Sequence, residues 1–111
     1  MSMALQGLLE ALCKADPKYF IKRPYSGIFA VGASERPCFP SLHLQPAYQD
    51  VEYALREAIE ARGWRWDMHS DSGDYDCVAI VHTPQCSKSG EHNIPCIALG
   101  MAYLEALEGQ Q

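Results

Sequence analysis

The chain has 111 residues, enough for one domain with a real core, and 48% hydrophobic against 21% charged residues excludes wholesale disorder. A net charge of −5 argues against a non-specific nucleic-acid binder, which needs a basic face to neutralise phosphates. The charge is unevenly spread: residues 1–44 carry five basic and three acidic side chains (+2), residues 45–111 four basic and eleven acidic (−7).

The first element is a helix over residues 3–14. Ser2 is a suitable N-cap, and Leu5, Leu8, Leu9 and Leu12 recur at i, i+3, i+4, i+7, giving one apolar stripe. Asp16-Pro17 ends it, because the residue before a proline is pushed out of the helical region. Tyr19–Ile21 and Ile28–Val31 are short strand-like runs separated by an Arg23-Pro24-Tyr25-Ser26-Gly27 turn. Residues 32–46, with Pro37, Pro40 and Pro46, read as a long connection.

From Tyr48 the pattern sharpens. Val51, Ala54, Leu55, Ala58 and Ile59 predict a helix over 49–62, with Asp50 at its N-terminal turn and Gly63 as its C′ residue. Trp64 to His69 alternates strictly, so Trp64, Trp66 and Met68 share one strand face, turned to the core, and Arg65, Asp67 and His69 the other. Asp71–Asp74 is a turn, and Asp76–His82 is the second, more central strand of an antiparallel hairpin. Thr83–Asn93 reads as a polar loop. Pro95 then suits the first turn of a helix whose residues 96–108 are apolar nearly all round and therefore buried, with Gly109 at its end. The whole is an α+β fold: a single domain over 1–111, with an antiparallel sheet packed with helices. Residues 47–108 form an α-β-β-α unit, preceded over 1–46 by a helix, short strands and the proline-rich connection.

Asp50-Val51 at the start of a helix that ends in Gly63, the aromatic strand after it, and the closing Pro95-Cys96-Ile97-Ala98-Leu99-Gly100-Met101-Ala102-Tyr103-Leu104-Glu105-Ala106-Leu107 helix resemble the phage ABA-sandwich family of small bacteriophage proteins over residues 47–108. The resemblance implies a phage or prophage accessory protein with no defined activity, and it carries over no functional residue. Ala47-Tyr48-Gln49-Asp50 replaces that family's Tyr-Ser-Thr-Asp-like helix start.

Two clusters bear on chemistry. His82, Cys86, His92 and Cys96 offer four zinc-type ligands as H-x3-C-x5-H-x3-C. Zinc wants four N and S donors in a tetrahedron, and two pairs joined by a short loop supply them; the bland alternative is incidental Cys and His, with Cys96 a buried structural thiol. Asp67, Asp71, Asp74 and Asp76 on the hairpin, with Glu52, Glu57 and Glu60 on the preceding helix, form an acidic set able to imitate a phosphate backbone toward a basic groove. Its alternative is a surface charged for solubility. The aspartates do not have the spacing of a calcium loop. Cys86 with His82 or His92 makes a cysteine nucleophile and base on paper, without a nucleophile signature around it. Lys18–Tyr25 is a basic-aromatic stretch suited to a small anion.

No Walker loop, GxGxxG, GxSxG or HExxH occurs. The expectation is a non-enzymatic binding protein, an inhibitor of a host defence complex such as a CRISPR effector, whose acidic unit occupies the partner's basic nucleic-acid-binding groove. A sponge for a nucleotide signal and a zinc-stabilised interaction module are the alternatives. A homodimer is compatible with each; direct nucleic-acid and membrane binding are not expected. The start, Met1-Ser2-Met3-Ala4-Leu5, lacks signal-peptide features, no stretch approaches the roughly 18 apolar residues of a membrane span, and five scattered cysteines suit a reducing host cytoplasm.

Overall fold

Leu5, Leu8, Leu9 and Leu12 form the buried stripe of α1 (Leu5–Ala15) in the computed structural model, which describes residues 5–24, 28–38, 45–70 and 77–109. The expected Ser2 cap lies outside the described residues. A helix of 11 residues is marginal alone, so its stability comes from those leucines, each contributing about 2 kcal/mol on burial. Asp16 ends the helix before Pro17. Its N–H donates to the Leu12 carbonyl at 2.7 Å and its own carbonyl accepts from the N–H groups of Tyr19 and Phe20.

Three short strands follow: β1 (Phe20–Lys22), β2 (Phe29–Val31) and β3 (Arg36–Cys38), antiparallel in the order β1-β2-β3. The expected long connection 32–46 therefore divides. A turn at Gly32–Glu35 leads into β3, and the last residues of the stretch already belong to a helix. Gly32 has φ +83°, a conformation that calls for glycine, and the Glu57 carboxylate lies close enough that a Cβ there would displace it. Glu35 also takes a left-handed conformation, φ 51°.

That helix, α2 (Gln45–Ala61), begins four residues before the expected 49, because Pro46 is tolerated in a first turn, where no intrahelical N–H bond is needed. Asp50 is consequently inside the helix, not its cap, and accepts from Arg36 at 3.4 Å. The other end is as expected. Gly63 has φ +78°; its N–H donates to Glu60 O at 3.0 Å while that of Trp64 reaches Ile59 O at 3.2 Å. This is a Schellman closure, and the buried Ile59 and Trp64 are its apolar pair.

The second sheet is β4 (Arg65–Ser70), β5 (Cys77–His82) and β6 (Ser87–His92), antiparallel with β5 central. Trp66 and Met68 pack half-buried against the core with Trp64, while Arg65, Asp67 and His69 are exposed. β6 corrects the sequence reading, which took Thr83–Asn93 as loop. The connection is only four residues long: Thr83 Oγ1 accepts the N–H groups of Gln85 and Cys86, and the Thr83 N–H donates to Cys86 O at 2.8 Å. The α-β-β-α unit is thus α-β-β-β-α.

α3 (Pro95–Glu108) packs against β5, β6, α1 and α2, which is why it is apolar nearly all round. Tyr103, fully buried on α3, donates from its hydroxyl to Asp16 Oδ2 and accepts from Arg62 Nε at 3.0 Å. The Arg62 guanidinium also lies over the Trp64 ring at 5.3 Å. One polar knot therefore ties the ends of α1 and α2 to the middle of α3. Among the described residues no helix is long and apolar enough to cross a membrane.

Candidate binding cleft

Strand register builds the site. Arg65 pairs with His82 and His82 with Ser87, so the three lie in a row across β4, β5 and β6; Asp67, two residues along β4, shares their face. Cys77, Ala79 and Val81 point the other way into the core, beneath α3. His82 Nε2 lies 2.7 Å from Asp67 Oδ2 and Nδ1 lies 2.8 Å from Ser87 Oγ. With the ring proton on Nε2, His82 donates to Asp67 and accepts the Ser87 hydroxyl, one hydrogen-bonded chain across three strands.

Beside this chain a shallow cleft of about 520 Å3 is lined by Glu60, Trp64, Arg65, Trp66, Asp67 and His82. Its aromatic wall is held from α2. Trp66 Nε1 donates to Glu60 Oε2 at 2.9 Å, and the Arg56 guanidinium stacks over the Trp66 ring at 4.5 Å. Arg56 is itself positioned by Glu52, one turn earlier, at 2.6 Å. The cleft opens on the Asp67 side of the imidazole, and Ser87 lies beyond it, outside the lining. The arrangement is a polar and aromatic recess that presents charged groups of both signs, with the Ser87 hydroxyl set apart from it.

Of the sequence-selected acids, Glu60 and Asp67 meet in this cleft. Glu52 is paired with Arg56 on the same row of α2. Glu57 is turned elsewhere, toward Gly32 and the first sheet. Asp71, Asp74 and Asp76 lie outside the described residues. The helix carboxylates therefore do not form one bare acidic stripe, because α2 packs against both sheets and aims its acids at each.

The four zinc-type residues are not brought together. His82 and Cys86 lie at one end of β6, His92 and Cys96 at the other, since Ser87 pairs with His82 and His92 with Cys77. Six extended residues separate the pairs by about 17 Å at 3.4 Å per residue. His92 Nδ1 accepts the Ile94 N–H at 3.0 Å, and among the described residues no group of three or more His, Cys, Asp or Glu is placed to hold a metal ion. The strand that takes the place of the expected loop holds the two pairs at its opposite ends.

Burial pushes the Cys96 thiol up to about 12 and that of Cys38 up to about 11, with Glu52 and Asp50 respectively adding to the effect. Both stay protonated near neutrality and are poor nucleophiles. In the basic-aromatic stretch, Lys22 faces Glu10 at 3.2 Å and Arg23 faces Glu35 at 3.5 Å, so these two cations have a carboxylate beside them, while Lys18 lies over the Tyr19 ring at 5.7 Å; Tyr25 lies outside the described residues. Ser87 was invisible as a partner of His82 in sequence, because nothing in the pattern marked 87–92 as a strand. Comparison of the chain with protein-family models, curated proteins and solved structures gives no match.

Proposed function

We propose that the protein works by binding, its acidic C-terminal unit docking on the basic groove of a partner protein that otherwise holds nucleic acid. The resemblance to phage accessory proteins suggests a host defence complex as that partner. One observation carries the reading: residues 66–87, which take in the β4–β5 hairpin except its first residue, Arg65, hold four aspartates and neither lysine nor arginine. Asp67 sits at the cleft with Glu60, and the hairpin continues into the segment bearing Asp71, Asp74 and Asp76. Clustered carboxylates of this kind steer a basic surface and set the register of docking through complementary potential.

The test is displacement of a labelled guide or target strand from a panel of purified CRISPR effector complexes, read by fluorescence anisotropy. Displacement by the protein, weakening as salt rises, is expected. Replacing Asp71, Asp74 and Asp76 together by Asn should weaken it by about tenfold or more. No displacement from any complex at low salt, or equal displacement by the triple variant, defeats the proposal.

A further inference from the structure

We infer that the groove between α1 and α3 is the seat of a second copy of this chain, giving a two-fold symmetric dimer. The groove has a volume of about 780 Å3 and is walled by Ala11, Lys14 and Ala15 on α1 and by Leu104, Glu105 and Glu108 on α3. α3 is buried nearly all round, yet Leu104 and its neighbours Met101 and Leu107 remain half-exposed along this one side. The α1 wall offers small residues one turn apart, a flat floor on which a leucine from another helix can rest.

Charge selects the occupant. The α1 wall is basic through Lys14, and Arg62, just after α2, adds a second cation to the lining, while Glu10 on α1 is engaged by Lys22. The α3 wall is acidic through Glu105 and Glu108, both exposed. A two-fold axis that sets α1 of one copy on α3 of the other satisfies both contacts twice, with each Lys14 between two glutamates; setting α1 on α1 opposes like charges. The groove is self-complementary, as an isologous interface requires. It shares no residue with the acidic hairpin, so the dimer and the proposed partner binding stand or fall separately.

Sedimentation equilibrium of the full chain from micromolar to sub-millimolar concentration reads the outcome. The expected limiting mass is twice the 12.4 kDa of the chain. Lys14→Glu alone, and Glu105→Lys with Glu108→Lys, each place like charges across the interface and should weaken association by about tenfold or more. An equimolar mixture of the two variants restores opposite charges at both contacts and should recover a mixed dimer. All three positions are exposed, and circular dichroism confirms that each variant is folded. A wild-type chain that stays at single-chain mass throughout, a dimer indifferent to both reversals, or a mixture that does not recover association overturns the inference.

Discussion

Asp16, Tyr103 and Arg62 show how much a single buried group can decide. Asp16 is 4% exposed and Tyr103 fully buried, so the phenol is the donor that compensates a carboxylate removed from water. Burial, and then the hydrogen bond to Asp16, hold the Tyr103 hydroxyl well above its usual pKa, partly offset by Arg62. Arg62 approaches Asp16 Oδ1 only at 3.9 Å and is substantially exposed, so its screened charge is the weaker of Asp16's two contacts. Tyr103→Phe keeps the ring and its edge contact with Trp64 at 6.2 Å, and removes only the hydroxyl, which donates to Asp16 and accepts from Arg62. Stability measured by urea unfolding should fall by about 2 kcal/mol, the cost of leaving a buried acceptor unmatched. In the double variant Tyr103→Phe with Asp16→Ala, which takes away the acceptor, the two losses should fail to add, since both break one interaction. The sequence marked Asp16 as a helix terminator and Tyr103 as an aromatic; their pairing joins residues 87 positions apart and has no local signature.

At the scale of elements, the instructive segment is β6. Ser87-Lys88-Ser89-Gly90-Glu91-His92 has low strand propensity and no apolar alternation. It forms a strand because β5 offers a full ladder and α3 covers it, and it is polar because it is an edge strand with one open face. Gly90 is the residue that permits this. A Cβ there would lie 2.3 Å from Ala98 O and 2.9 Å from Ala102 N, backbone atoms of α3 that cannot step aside. Gly90→Ala should therefore destabilise the protein by about 2–3 kcal/mol, read as a lower urea midpoint, with amide exchange accelerated first along β6. α2 makes the opposite case: its apolar spacing and Gly63 closure were legible because both are local. Its true start was not, because prolines can open a helix or belong to a loop and only packing decides.

For the whole molecule, the α+β arrangement places two sheets around a helical core, and the thiols report on that core. Cys38 and Cys96 belong to it, each 1% exposed. Their pKa values stand at about 11 and about 12 against an ordinary 9.0. Above pH 9 the folded chain thus holds these protons more tightly than the unfolded chain. Their contribution is intact below that pH and is lost as pH rises toward the folded values. Each thiol steepens the decline by up to about 1.4 kcal/mol per pH unit, and Tyr103, raised in the same direction, adds to it at still higher pH. Urea unfolding at a series of pH values should show a plateau up to about pH 9 and a fall beyond it. In Cys38→Ala the starting stability is lower but the fall shallower; an unchanged slope would mean that the thiol does not contribute.

The sequence alone determined what depends on neighbours along the chain: the leucine stripe of α1, the alternation of β4, the glycine closure of α2, the apolar α3 and the acid-rich hairpin. Periodicity and turn chemistry act over a few residues, so these features survive without knowledge of the fold. Tertiary structure decided the rest. It made a strand of residues 87–92, parting His82 and Cys86 from His92 and Cys96. It turned Glu57 away from Glu60, joined Asp67 to His82 and Ser87, and tied Asp16 to Tyr103. Each of these outcomes rests on strand register or helix packing, which bring together residues that sequence spacing does not relate.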